Sequence, residues 1–255
     1  MKPLTSMLAG WREKRRGRQA MAGPLHELPA AMPLAEARRV LVFAPHPDDE
    51  TIGCAGLLLQ LVAAGVPVRV VLVSDGGGAG ALPAGAAAER QAEFLAALAV
   101  LGVSDSTALG LPDGRLRLDR QLLQAVRSQV QDHRPDWVLC PAALDPHRDH
   151  RVVAEAARRA ACSCPTVQRL WWYETWAPLP PTHVLDIGEQ LESKLRALQA
   201  HRTALACGNY LEATRALAIY RGLLLGRPQA GAAAEAFVCH GRADAFGLGW
   251  QGGLP

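Results

Sequence analysis

Three features are scarce in this chain. No uninterrupted apolar run is long enough to span a bilayer, so no transmembrane helix is expected. Net charge is only +3, from 27 Lys and Arg against 24 Asp and Glu, which leaves no electrostatic case for a nucleic-acid partner. Ordered cysteine spacing is also missing. Cys54, Cys140, Cys162, Cys164, Cys207 and Cys239 are scattered through apolar segments without the double pairs of a zinc ribbon. Cys162 and Cys164 form an isolated CxC pair, and all six read as reduced thiols that pack as small hydrophobes.

The positive excess is local. Lys2, Arg12, Lys14, Arg15, Arg16 and Arg18 crowd the start of the chain. With only Trp11 and a few aliphatics among them, they read as a solvated tail or helix rather than a membrane-binding face. The apolar stretch of a secretory leader does not follow, because residues 17–33 are interrupted by Gly, Pro, His and Glu. A cytoplasmic protein is therefore expected. Residues 1–37 read as a basic N-terminal extension and residues 38–255 as one domain.

What is present is an ordinary globular composition, 49% hydrophobic and 20% charged over 255 residues, enough for one well-buried domain. Short apolar runs alternate with helical patterns. That alternation predicts an α/β fold with a Rossmann-like, mostly parallel sheet flanked by helices. Strands are expected over residues 39–44, 68–74, 107–109, 137–141, 167–173 and 183–187, and helices over 51–64, 87–101, 119–133, 149–162, 189–203 and 211–225. Gly102 should stop the second helix and Asp119 should cap the third, which Arg134 and Pro135 close. The Gly- and Ala-rich residues 76–88 read as a mobile loop.

Two polar clusters stand out. Pro45-His46-Pro47-Asp48-Asp49-Glu50 follows the first expected strand, and Asp145-Pro146-His147-Arg148-Asp149-His150 follows the fourth. Open α/β sheets bind ligands beyond the carboxyl ends of their strands, so both clusters sit where a site belongs. Imidazole and carboxylate are zinc donors, and a three-residue offset at a loop-to-helix turn lets His46 and Asp49 converge. His147 and His150 repeat that offset. A catalytic zinc takes three protein ligands and keeps one position open. Two donors from the first cluster and one from the second supply that number, leaving a carboxylate and a histidine for proton transfer. Helix capping accounts for Asp149, but not for three carboxylates beside His46. The Gly76-Gly77-Gly78-Ala79-Gly80 run raises a nucleotide-binding module instead. It follows the second strand, however, and no GxGxxG follows the first, where a pyrophosphate would need it.

The segment VLVFAPHPDDETIGCAGLL closely resembles the signature of the LmbE-like (PIG-L superfamily) zinc-dependent N-deacetylases, and DPHRDH resembles their second, HxxH-type motif. VVLVSDG, ERQAEFLAALAVLGV, LGLPDGRL, WWYETW and AEAF resemble further blocks, so the likeness covers about residues 38–240. It implies one Zn2+ per chain on His46, Asp49 and His150, with Asp48 as general base and a protonated His147 stabilising the oxyanion. Arg90 and Asp113 match positions that approach the substrate. The implied reaction removes an N-acetyl group from an amino sugar or N-acetylglucosaminyl conjugate. The alternative is an amidase acting on a thiol-sugar conjugate or a non-sugar acyl amide. All five catalytic positions are filled, which argues against an inactive scaffold. Glu50 reads equally as a group orienting a ligand or as a first-turn helix carboxylate. Trp171, Trp172 and Trp176 read as core rather than as sugar-stacking rings. The expected partner is a small-molecule amino sugar, with no nucleic acid and no integral membrane segment; a homo-oligomer stays open.

Overall fold

Aliphatic runs become strands buried on both faces, as a sheet covered by helices requires. The structure, a computed structural model, describes residues 28–78, 82, 85–226 and 231–241. The basic cluster at the start of the chain and part of the Gly- and Ala-rich loop lie outside these residues. The elements run β1 (Ala30–Ala31), β2 (Val40–Ala44), α1 (Asp49–Ala63), β3 (Val68–Ser74), α2 (Ala86–Leu101) and β4 (Asp105–Leu111). They continue with α3 (Arg120–His133), β5 (Trp137–Pro141), α4 (Arg148–Ser163), β6 (Arg169–Tyr173), β7 (His183–Asp186), α5 (Leu191–Gln199), α6 (Arg202–Cys207), α7 (Tyr210–Gly222) and β8 (Ala234–Gly241). One eight-stranded sheet has the order β1-β7-β8-β6-β5-β2-β3-β4. It is parallel except where β8 pairs antiparallel with β6 and β7.

Strand parity divides the core. Val40, Val42 and Ala44 of β2 face a cluster that includes Leu57 and Leu58 of α1, Phe94 of α2 and Leu195 of α5. Leu41 and Phe43 face the other way, onto Val126 of α3 and Val153 of α4. The sheet is thus doubly covered. At its centre β2 pairs with β3 on one side and β5 on the other, Val40 lying opposite both Val68 and Trp137. Connections leave this pair in opposite directions, so the crevice beyond the carboxyl ends of β2 and β5 is the topological switch point. α1 can lie close above the sheet because of its glycines. A Cβ on Gly53 would fall 2.1 Å from Cδ2 of Tyr173 in β6.

Most expected elements are present, with Asp119 capping α3 by accepting from the Leu122 backbone N–H and Gly102 ending α2 in the left-handed region. Four differences have physical reasons. β4 is longer than expected because it is a partly exposed edge strand that begins with the polar Asp105 and Ser106 and is interrupted by Gly110 before Leu111. The helix expected over 189–203 breaks between α5 and α6, where the His201 ring is drawn into the interior against Thr51. The last expected helix ends at Gly222 and tightens into a 3-10 turn over Leu223–Leu225. β1 and β8 were not expected: two alanines carry no strand signal, and β8 gains its conformation by filling the gap between β6 and β7.

Candidate metal centre and active site

β2 delivers the first polar cluster and β5 the second, side by side. After Ala44 the chain turns through residues 45–48 into α1, and it does so with strain: Asp48 has φ 132° and ψ −26°, a region that L residues avoid. Its carbonyl accepts from the Ile52 N–H and starts the helix, yet its side chain caps nothing. The carboxylate is turned toward the pocket, 3.7 Å from Nη2 of Arg90. Asp49 is no cap either. Its Oδ2 accepts from the His46 backbone N–H at 2.8 Å, fastening the two ends of the turn.

That oxygen also meets two imidazoles. Asp49 Oδ2 lies 3.2 Å from His46 Nδ1 and 3.2 Å from His150 Nε2, and those two nitrogens are 3.1 Å apart. All three side chains are buried. Zinc bound tetrahedrally at about 2.0–2.1 Å places its N and O donors about 3.3 Å apart. The triangle therefore has the edge length of one face of a zinc tetrahedron. Each ring has a carboxylate beside its far nitrogen: Asp113 Oδ1 stands 3.1 Å from His46 Nε2, and Asp145 Oδ1 stands 3.2 Å from His150 Nδ1. Such outer carboxylates fix the tautomer so that the inner nitrogens present lone pairs to a metal. Two other donor groups share residues with this one, His46 with His147 and His150, and His46 with Asp113 and Asp149. The second of these uses the outward nitrogen of His46, with Asp149 at 3.5 Å.

The electrostatics follow from this crowding. Burial alone would lower His46, but Asp113, Asp149 and Asp49 outweigh it and push it up to about 12. For His150 the same penalty is overcome by the charge of Asp49 and by Asp145, up to about 9. The facing nitrogens at 3.1 Å have room for one shared proton, not two. Burial opposes ionisation of Asp49, but His150 and His46 hold it well below the usual carboxylate range. Its neighbour behaves oppositely: burial, then the Asp49 charge, raise Asp48 to about 7, against the pull of His201 and Arg90. Two adjacent aspartates thus have opposed protonation behaviour, one a fixed anion and the other poised to exchange a proton.

His147 stacks edge-on against His46 at 4.6 Å between ring centroids, and its buried Nδ1 has no hydrogen-bond partner among the described residues. Burial, then the charges of His46 and His150, lower its pKa. That shift favours the neutral ring. Arg90 and Asp113 line the same cavity of about 130 Å³, together with Trp176 and Tyr210. Both are engaged already. Arg90 donates to the carbonyls of Gly76 at 2.7 Å and Pro47 at 3.3 Å, while Asp113 accepts from the Gly78 N–H at 3.1 Å.

All seven residues singled out in the sequence therefore converge on one crevice. Asp149 differs from expectation: it caps no helix, and its Oδ2 accepts from the Gly114 N–H at 2.8 Å while facing His46. Glu50 turns away from the donor triangle, its Oε1 accepting from Thr51 Oγ1 at 2.6 Å with His201 Nε2 3.5 Å away. Sequence reasoning missed His201, which no spacing marks, and Asp145, whose place in the second cluster was the available signal. It also set aside Trp176. Trp171 and its neighbour are strand residues as expected, Trp171 fully buried, but Trp176 lies beyond β6, 52% exposed on the cavity rim.

The model of the family described as "PIG-L: GlcNAc-PI de-N-acetylase" matches residues 41–161, spanning both clusters. The chain is 30% identical over 186 residues, 66% of its own length and 82% of the other's, to a probable N-acetyl-alpha-D-glucosaminyl L-malate deacetylase 2 of Bacillus anthracis. It belongs to the PIG-L family. Another PIG-L relative, the diacetylchitobiose deacetylase of Thermococcus kodakarensis, is 28% identical over 194 residues, covering 67% of this chain and 72% of that one. Among solved structures, N,N'-diacetylchitobiose deacetylase from Pyrococcus horikoshii superposes with a TM-score of 0.74 at 24% identity, over 83% of this chain and 86% of the other, and so shares the fold. No helix among the described residues is long and apolar enough to cross a membrane.

Proposed function

We propose that this PIG-L protein is a zinc-dependent N-deacetylase that releases acetate from an N-acetylglucosaminyl conjugate. The observation that carries the proposal is the buried triangle of His46 Nδ1, Asp49 Oδ2 and His150 Nε2, with edges of 3.1–3.2 Å. The donor set is two neutral-capable imidazoles and one anion, each imidazole backed by a carboxylate, which suits zinc. When bound, zinc supplies Lewis-acid chemistry, activating water at neutral pH and polarising an amide carbonyl.

The remaining roles belong to the chain's own groups. Asp48, next to the triangle but turned into the cavity, accepts the proton of the attacking water and returns it to the leaving amine. Burial and the neighbouring Asp49 charge raise its pKa, which favours its taking up a proton. His147, its neutral form favoured, donates an N–H to the oxygen that becomes anionic as the amide carbon turns tetrahedral. Asp113 keeps the His46 ring aimed, and together with Arg90 it forms the wall proposed to meet sugar hydroxyls. One relative's name attaches N-acetylglucosamine to malate, and another names diacetylchitobiose. The acetamide is common to both and the rest of the molecule varies, so in this chain the acetyl group is taken as fixed and the aglycone as open.

The test is acetate release by zinc-loaded protein from methyl N-acetylglucosaminide, set against N-acetylated amino acids and simple acetylated amines. The glycoside should be turned over faster, and removal of zinc by a strong chelator should abolish the reaction. Equal rates on all substrates would remove the sugar from the assignment, and chelator-insensitive activity would remove the metal.

A further inference from the structure

A second cavity, of about 230 Å³, adjoins the catalytic one. Trp176 and Tyr210 line both, their rings set edge to face at 5.7 Å between centroids. Beyond that shared wall the lining includes Ile52, Ala213, Leu217 and Ala218. Charged residues also border it, but their charges are spent on one another. Lys194 Nζ donates to Glu235 Oε1 at 2.7 Å and to the Ile52 carbonyl at 2.7 Å, while the Glu235 carboxylate accepts from the Gly56 and Leu57 N–H groups at 2.7 and 2.9 Å. Glu174 is likewise held by Arg221 and by the Leu179 N–H. A ligand entering here finds no free ionic partner. It finds aliphatic and aromatic surface, in a space larger than the roughly 150 Å³ that holds one benzene ring.

We propose that this cavity is an aglycone subsite, and that the substrate is an N-acetylglucosaminide carrying a short alkyl or aryl group. The inference rests on the function proposed above, in which the acetyl group occupies the metal side of the catalytic cavity and the aglycone is open. The shared Trp176–Tyr210 wall provides the continuity: a sugar whose acetamide lies at His46 and Asp48 has this wall beside it, and its far substituent has the second cavity behind. Trp176, half exposed on the rim, then stacks on the sugar or on the first atoms of the aglycone. An apolar group buried there leaves water, and each methylene that does so brings up to about fourfold in affinity.

The experiment compares kcat/KM of the zinc-loaded protein for methyl and hexyl N-acetylglucosaminides, in the wild type and in two variants. Ala213→Trp fills the cavity from the exposed face of α7, and Leu217→Asn makes its lining polar without filling it. Wild type is expected to favour the hexyl glycoside by about 10–100-fold, and in both variants the hexyl-to-methyl ratio should fall toward one. The ratio cancels any general loss of activity or folded protein. Equal kcat/KM for both glycosides in the wild type would overturn the subsite while leaving the deacetylase standing. A hexyl preference that survives both variants would place the chain elsewhere and also overturn it. So would faster cleavage of an N-hexanoyl than of an N-acetyl methyl glucosaminide, because the apolar group would then be the acyl chain. Cleavage of neither glycoside would remove the sugar reading and the subsite together.

Discussion

The loop leaving β2 is strained, whereas the loop leaving β5 is braced. In the first, Asp48 is forced to φ 132°, and the turn is fastened by the Asp49 carboxylate on the His46 N–H. In the second, His147 has an ordinary extended backbone, and Asp145 does the fastening by accepting from the His147 N–H at 2.8 Å while facing His150. The difference follows from the cargo. The first loop presents two adjacent aspartates to different places, and it does so with Asp48 in a backbone region that L residues avoid. The second loop presents two histidines three positions apart, which a regular helix start already brings to one side.

The first loop should therefore be the one in which a single substitution separates metal binding from chemistry. Asp49→Asn replaces the anionic corner of the triangle and should lose zinc and activity together, whereas Asp48→Asn should keep zinc and lose about 10²–10⁴-fold in kcat. Metal content by elemental analysis beside acetate release would check both. Zinc loss in the Asp48 variant and retention in the Asp49 variant would exchange the roles.

The braced loop should fail more gradually. Asp145→Asn keeps the shape of the group aiming His150 but not its charge, and a loss of about 10–100-fold in zinc affinity or activity is expected. Competition with a chromophoric chelator would measure it. Unchanged affinity would mean that the helix alone orients the ring.

How much of this was legible beforehand depends on what each feature owes to local sequence. The central strands and the two donor clusters were readable because continuous burial and paired His/Asp offsets are local patterns. The exact partners were not. His46 faces Asp113 from beyond β4, and His201 approaches Thr51 from a helix break 150 positions away, so neither pairing has a local signature. Asp149 was misread as a cap because an aspartate at a helix start ordinarily is one; its buried position beside Gly114 and His46 is a tertiary fact. Trp176 was grouped with the strand tryptophans although β6 ends at Tyr173.

A proton count sharpens the comparison further. The shared proton between His46 and His150 is bound at neutral pH because their pKa values are raised, so zinc must displace it. Apparent zinc affinity should rise with pH through the neutral range, by about tenfold per pH unit for the one proton displaced. Titrations in buffers of different ionisation enthalpy should report about one proton released. A pH-independent affinity would contradict the shared-proton arrangement.

The smallest effect concerns strain itself. Asp48→Gly should stabilise the metal-free protein by about 1 kcal/mol while abolishing base catalysis, because glycine adopts positive φ without penalty. His147→Gly offers no such gain. Thermal melts of the two variants against wild type would decide it, and a destabilised Asp48→Gly protein would show that the loop is held by contacts of the Asp48 side chain.

The most direct test is a crystal soaked in zinc and measured on both sides of the zinc absorption edge. An anomalous peak is expected at about 2.0–2.2 Å from His46 Nδ1, Asp49 Oδ2 and His150 Nε2. A peak instead between His46 Nε2, Asp113 and Asp149, or no peak within reach of His46 at all, would contradict it.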